Sequence, residues 1–248
     1  TEAPWWNHRH LHRPHKTPYS ILMKSQNPAS EPPQKIKVLI VDDHPMFREQ
    51  LAQLINREFG LEVCGEADNV QDAMILLKKL NPAVAIVDIT LKGSSGLELL
   101  KDIKSQELDV KVLVLSMHDE ELYAERALRA GAKGYITKNE ASMEVAYAIK
   151  RVMSGHIYAS RQMMEKIMER LSKRVPPEQT DVGRLADREL EVFQLLGKGK
   201  TTQDIAKKLN LGESTVETYR SRIKDKLNLA SAAELYLRAG QWVRENGA

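Results

Sequence analysis

Cysteine is all but missing from this sequence, and so are long apolar runs. The one cysteine, Cys64, forbids an internal disulfide and fits a reducing, cytoplasmic setting. The longest apolar stretches are segments such as "KVLVLSM" (111–117), far short of the roughly eighteen residues that a membrane span requires. The N-terminal region lacks the apolar core of a secretory signal, and no internal repeat is found. Nor is there a strong excess of one charge: 37 Lys and Arg face 34 Asp and Glu, a net of +3. What remains is 42% hydrophobic and 29% charged residues over 248 positions, the composition of an ordinary soluble protein with room for two domains.

The small net charge hides two unlike halves. Residues 36–158 carry 15 Lys and Arg against 19 Asp and Glu, a net of −4, and residues 184–248 carry 12 against 9, a net of +3. A mildly acidic module and a mildly basic one suggest different partners. Ahead of both, "TEAPWWNHRHLHRPHKTPYS" (1–20) shows neither helical nor strand periodicity, and "SQNPASEPPQ" (25–34) has linker chemistry. Residues 1–34 are therefore expected to be a disordered extension, with Met23 a candidate natural start. Four histidines in it, His8, His10, His12 and His15, could bind a metal, but no scaffold flanks them.

From Lys35 the pattern becomes regular. "KIKVLIV", "LEVCGEA", "AVAIVDI", "VKVLVLS" and "GYIT" read as short strands rich in β-branched residues. Between them, Phe47, Leu51, Leu54 and Ile55 recur at helical spacing, as do Val70, Ala73, Met74, Leu77 and Leu80, and later Val145, Ala148, Ile149, Val152 and Met153. Alternating strands and helices make a parallel sheet covered on both faces. Right-handed crossovers leave the five-stranded doubly wound α/β sheet as the fold that fits the count, spanning residues 35–157. Residues 158–182 read as a linker. Met163, Met164, Ile167, Met168 and Leu171 lie on one side of a helix that packs on its own domain or forms an oligomer seam, and "PPEQTDVG" breaks it. Residues 183–248 form a compact all-helical module.

The chemistry sits at strand ends. In a doubly wound sheet, ligands bind beyond the carboxyl ends of the strands where the winding direction switches. The first strand ends in Asp42 and Asp43 and the third in Asp88, and these are neighbours if the strand order is 2-1-3-4-5. Three carboxylates about 5 Å apart would repel by roughly 3 kcal/mol per pair at an effective dielectric of about 20. The site therefore calls for a divalent cation, and oxygen ligands with no competing Cys or His set favour Mg²⁺. The fourth strand ends in Ser116, and the fifth supplies Tyr135 and then Lys138. Cation, carboxylate nucleophile, hydroxyl and ammonium make a phosphoryl-transfer site with Asp88 as the acceptor. An aspartate with the ordinary pKa of about 4 is ionised at neutral pH and needs no general base. Singly, each residue has a blander role. Asp42 and Asp43 could cap the helix opening at Pro45, Ser116 could cap the next one, Lys138 could be a surface charge and Tyr135 a half-buried strand aromatic.

"VLIVDDHP", "AIVDITL", "VLVLS" and "GAKGYITK" resemble, in this order, the flavodoxin-like receiver domain of bacterial two-component response regulators. The resemblance covers residues 36 to about 155. It implies that Asp88 takes a phosphoryl group from the phosphohistidine of a sensor histidine kinase. It also implies that Asp43, Asp88 and the backbone carbonyl of Thr90 hold Mg²⁺, with Asp42 acting through water. Lys138 would contact the phosphoryl group, Ser116 would follow it, and Tyr135 would reorient as the switch, with the fourth and fifth helices carrying the change. Asn139 departs from the proline that many receivers have after the lysine.

"TTQDIAKKLNLGESTVETYRSRIKDKL" (201–227) reads as helix, turn, helix, with Asn210 suited to a left-handed turn. The second helix would bury Val216, Tyr219, Ile223 and Leu227 and turn Thr218, Ser221, Arg222 and Asp225 outward, with Glu217 and Lys224 on a flank and Arg220 nearer the buried face. Such a helix can enter a DNA major groove, although a bundle with a solvated charged face has the same pattern. "LADRELEVFQLLGKGKTTQDIAKKLNLGESTVETYRSRI" resembles the LuxR-type helix-turn-helix over residues 183–240. Ala186, Gly212 and Glu217 depart from it. Glu217, Thr218, Arg220, Ser221, Arg222 and Lys224 are the candidate DNA residues, the basic ones mostly through phosphates. The pairing resembles the NarL/FixJ subfamily of response regulators. It implies a cytoplasmic, phosphorylation-regulated transcription factor that is not an enzyme. Its partners would be a sensor histidine kinase, double-stranded DNA at promoter half-sites, and a second copy joined through "SAAELYLRAG". The alternatives are a receiver whose site is unused and an aspartate-nucleophile phosphohydrolase. Such hydrolases usually carry a second acid where this chain has Thr90.

Overall fold

The computed structural model of the chain describes residues 35–91, 93–117, 120–161, 163–165, 168 and 181–245. The expected N-terminal extension with Met23 and its histidines lies outside them, as does most of the expected linker, including Ile167 and Leu171. Of that linker's methionines, Met163 is buried and Met164 and Met168 are exposed.

β1 (Ile36–Val41), β2 (Leu61–Ala67) and β3 (Val84–Val87) form the first half of a parallel sheet. After a two-residue hairpin pair, β4 (Thr90–Leu91) and β5 (Ser94–Ser95), the sheet is completed by β6 (Lys111–Ser116) and β7 (Gly134–Thr137). The strand order is β2-β1-β3-β6-β7, as the doubly wound reading requires. Helices α1 (Pro45–Arg57), α2 (Val70–Leu80), α3 (Gly96–Ser105), α4 (Glu120–Ala130) and α5 (Ala141–Met153) cover it.

Alternation along the strands decides which side chain meets which helix layer. Leu39 and Val41 of β1, with Ala85 and Val87 of β3, join one core with α2, α3 and α4. Val38, Ile40, Val84 and Ile86 point the other way, into a core with Leu51 and Ile55 of α1 and Val145, Ala148 and Ile149 of α5. All of β3 is buried, as expected of a central parallel strand.

The C-terminal residues make a short 3₁₀ turn (Asp181–Arg184) and helices α6 (Asp187–Gly197), α7 (Thr202–Leu209), α8 (Glu213–Leu227) and α9 (Ala232–Glu245). Thr201 caps α7, accepting the Asp204 N–H, while the Asp204 carboxylate accepts the Thr201 N–H. Asn210 ends α7 in the left-handed region at φ 54°, giving the tight turn into α8. α6 and α9 cross closely at Gly197, where a Cβ would lie 2.4 Å from the Ala239 carbonyl oxygen. Ala186 precedes α6 without a side-chain acceptor, so only half of a reciprocal cap forms, the Glu189 carboxylate accepting the Ala186 N–H at 2.7 Å.

Candidate functional site

Parallel pairing brings the acids together. Val41 lies opposite Val87 in the register of β1 and β3, so the residues that follow them, Asp42 and Asp88, leave the sheet side by side. Both are buried, at 2% and 3% exposure, and Lys138, at 8%, comes from the end of β7. The Lys138 ammonium sits 2.6 Å from Asp42 Oδ2 and 2.6 Å from Asp88 Oδ2. Its other side faces the Phe47 ring, 4.5 Å from the centroid, a favourable cation–π arrangement. Lys138 is therefore no surface charge. Asp42 and Asp43 do not cap α1, whose N-cap is His44 without a side-chain capping bond.

Asp42, Asp43, His44 and Asp88 each offer one ligand atom, all within 4.8 Å of one another. The acid-only set expected from the sequence is thus enlarged by His44, whose Nδ1 lies 2.8 Å from Asp43 Oδ1 and 3.2 Å from Asp42 Oδ1. Asp43 Oδ1 is buried, and among the described residues it accepts no well-aligned hydrogen bond, the His44 ring nitrogen being its near neighbour. Thr90 N–H donates to Asp88 Oδ1 at 3.4 Å. Ser116 is fully buried at the end of β6, beside Thr137 of β7 in the register. Tyr135 is buried rather than half-exposed, at 1%.

Burial pushes the Asp88 carboxyl up to about 6, with Lys138 pulling it down and Asp42 adding to the rise. The ordinary value near 4 is thereby corrected, although the carboxylate form still prevails at neutral pH. Desolvation likewise raises Asp43, against the pull of His44. For Lys138, burial lowers the pKa, but Asp88 and Asp42 outweigh it and hold the ammonium above its usual range. A carboxylate beside a fixed ammonium, a buried hydroxyl and a second buried acidic oxygen next to an imidazole is an arrangement chemically suited to a cation and a phosphoryl group.

The second surface is α8. Val216, Ile223 and Leu227 are buried and Tyr219 partly so, while Thr218, Ser221, Arg222 and Asp225 are exposed, as the helical phase predicts. Glu217 is exposed and Lys224 partly so. Arg220 is drawn into the module: its Nη1 donates to Thr202 Oγ1 at 2.9 Å and Glu217 Oε1 at 2.5 Å, and its guanidinium lies 5.3 Å from the Tyr236 ring.

The response regulator receiver domain family matches residues 38–150, and the luxR family of bacterial regulatory proteins matches residues 184–239. The chain is a response regulator with a LuxR-type DNA-binding domain. It is 35% identical over 206 residues to the response regulator GacA of Pseudomonas aeruginosa, covering 82% of this chain and 95% of GacA. The structure of a LuxR-family two-component response regulator from Aurantimonas sp. SI85-9A1 is 31% identical, with a TM-score of 0.52 over 56% of this chain and 99% of that one. RcsB of Salmonella enterica serovar Typhimurium, solved on promoter DNA with the phosphomimetic BeF₃⁻, is 25% identical, with a TM-score of 0.51 over 83% and 99% of the two chains. This response regulator is thus a transcription factor rather than a classical enzyme.

Three site residues escape a reading confined to strand ends. His44, Phe47 and Arg48 share one face of the turn that opens α1. His44 lines the acids, Phe47 backs Lys138, and Arg48 Nη1 donates to the Asp42 carbonyl at 2.5 Å. Pro45, pre-shaped for the first helical turn, is the signal that could have located them.

Proposed function

We propose that Asp88 of this response regulator is the phosphoryl acceptor and that a sensor histidine kinase is the donor. The Lys138 ammonium, shared between Asp42 and Asp88 at 2.6 Å each, is the observation that carries this reading. The Asp88 carboxylate oxygen attacks phosphorus, a P–O bond forms, and the P–N bond to the kinase histidine breaks with the electron pair leaving on that nitrogen. Lys138 then meets the phosphoryl oxygens, and the Ser116 hydroxyl donates to one of them. Tyr135 reorients as Ser116 moves, and α4 and α5 carry the change.

The buried Asp43 Oδ1, which accepts no well-aligned hydrogen bond among the described residues, and the oxygen-rich donor set fit Mg²⁺. Asp43, Asp88 and the Thr90 carbonyl would hold it, with Asp42 acting through water. When bound, this ion neutralises charge developing on the transferred group. We assign residues 35–157 to the receiver and 183–248 to the DNA-binding domain, joined by 158–182. The exposed face of α8 enters the major groove, with Thr218, Ser221 and Glu217 toward base edges and Arg222 and Lys224 on phosphates. Arg220, tied to Glu217 and Thr202, reaches DNA only by leaving those partners. Two copies pair through α9, whose Tyr236 and Leu237 are exposed. A DNA-binding protein works where the chromosome lies, in the cytoplasm.

The test replaces Asp88 with Asn and supplies labelled acetyl phosphate with Mg²⁺. The variant takes up no label, and label persisting on it would remove Asp88 from the role. On the DNA side, Arg222→Ala with Lys224→Ala lowers the slope of log affinity against log salt by about 2. An unchanged slope would argue against this helix face.

A further inference from the structure

The α8 face carries one residue of the wrong sign for DNA. Glu217 stands next to Thr218 and one turn before Ser221, and its side chain is 55% exposed. A bare carboxylate on a surface that approaches phosphates would only repel them. This one is not bare. Its Oε1 accepts from Arg220 Nη1 at 2.5 Å and from the Thr202 hydroxyl at 2.9 Å. The same Arg220 nitrogen donates to Thr202 Oγ1, also at 2.9 Å.

Three side chains thus close a ring across the helix-turn-helix. Glu217 and Arg220 are three residues apart and share a face of α8. Thr202 opens α7, whose N-terminus favours negative charge. Behind them the Arg220 guanidinium lies 5.3 Å from the Tyr236 ring of α9, and the Arg220 side chain is only 14% exposed. The cation therefore stays with the protein, and the carboxylate faces outward as half of a neutral pair. Both bonds to Glu217 end on the same oxygen. Neither reaches Oε2, which is left as a single acceptor on a carboxylate held in place.

A lone, held acceptor is a selective reader. In the major groove cytosine N4 and adenine N6 are donors, whereas guanine O6 and N7 and thymine O4 are acceptors that would repel a carboxylate. Adenine also sets its N7 lone pair beside N6, and cytosine has no acceptor there. We propose that Glu217 is a specificity-determining residue of α8 whose Oε2 accepts from cytosine N4, and that Arg220 and Thr202 are positioning residues that neutralise and aim it. The inference rests on α8 entering the major groove and goes further by naming the base. The charge of Arg220 is then spent inside the protein rather than on phosphates.

Glu217→Gln separates a ring that aims this side chain from one that merely packs. Both ring donors still require an oxygen, so the amide oxygen takes the place of Oε1 and the NH₂ group that of Oε2. The outward atom changes from acceptor to donor, and the favoured base changes from cytosine to guanine or thymine. A glutamine free of the ring would instead take adenine in its bidentate pairing at N6 and N7.

The test takes the full chain, with acetyl phosphate and Mg²⁺ present, through selection from a duplex library of about twenty randomised base pairs, long enough for two half-sites. The bound duplexes are sequenced. The wild type enriches a C·G pair at one position of each half-site, and replacing that pair in a selected duplex weakens binding about tenfold by fluorescence anisotropy. Glu217→Ala shows no preference at that position and keeps the others. Glu217→Gln, of nearly the same shape, takes guanine or thymine there. Cytosine enriched nowhere, a cytosine preference that survives Glu217→Ala, or any other base or none taken by Glu217→Gln would overturn the inference. Arg222→Ala with Lys224→Ala separates the two readings. If that pair weakens binding while the Glu217 variants select as the wild type does, α8 is on the DNA and Glu217 is not its reader. If that pair changes neither binding nor its salt slope, the groove reading falls, and this inference with it.

Discussion

At the carboxyl end of the sheet, Asp42, Asp88 and Lys138 are almost wholly removed from water and fixed by contacts of 2.6 Å, whereas on α8 Arg222, Ser221 and Thr218 stand in solvent. The crevice holds its charges in place before any partner arrives, so its chemistry depends on local geometry and on what neutralises each buried group. The α8 face stands in solvent, so any interaction made there depends on ionic strength. One protein thus carries a buried, fixed cluster of charges and an exposed, adaptable helix face.

The sharpest way to break this comparison is to remove the shared cation. Lys138→Ala leaves Asp42 and Asp88 buried and facing each other, and its urea midpoint should fall by the equivalent of about 3 kcal/mol, against less than about 0.5 kcal/mol for Arg222→Ala. Similar losses for the two would mean that the crevice is as solvated as the helix face. Glycine gives the next contrast. At Gly96 an added Cβ meets the Asp88 carbonyl at 2.0 Å, so Gly96→Ala should cost about 2 kcal/mol in denaturant unfolding and slow label uptake.

A smaller effect is expected from pH. Burial pushes the Glu191 carboxyl up to about 7 from 4.5, against the pull of Arg188 and with Asp187 and Asp88 adding to the rise. The folded chain therefore holds that proton more tightly than the unfolded one. This contribution to stability is full below about pH 4.5 and is lost as pH rises through about 7. The urea midpoint should be higher at about pH 5.5 than the other groups alone would give, relative to about pH 7.5, and Glu191→Gln should flatten the difference. The smallest effect belongs to Gly212, the N-cap of α8, where a Cβ finds its nearest neighbour at an ordinary 3.6 Å. Gly212→Ser should raise stability by about 0.5 kcal/mol by supplying the missing cap. A loss there would show that α8 tolerates no change at its entry.

The crevice was legible because strands announce themselves. Runs such as Val38–Val41 and Val84–Val87 fix where the sheet ends, and the acids, Ser116 and Lys138 follow directly. The raised pKa of Asp88 was not legible, since it depends on how completely the fold excludes water there. The β4–β5 hairpin escaped because two strands of two residues carry no periodicity. Arg188, Glu191 and Gln194 recur at intervals of three along α6 and look like a solvated stripe. Their burial depends on Leu91, Ser94 and Tyr123, which lie 97, 94 and 71 residues away from their partners in sequence. Periodicity reports which side of a helix is polar, not what that side meets.

The most direct measurement is chemical. The chain is incubated with acetyl phosphate and Mg²⁺, then reduced with borohydride, which converts an aspartyl phosphate to homoserine, and the product is located by peptide mass spectrometry. The account predicts homoserine at position 88 and at neither 42 nor 43. Reduction at another carboxylate, or none in a chain that binds phosphoryl donors, would contradict it.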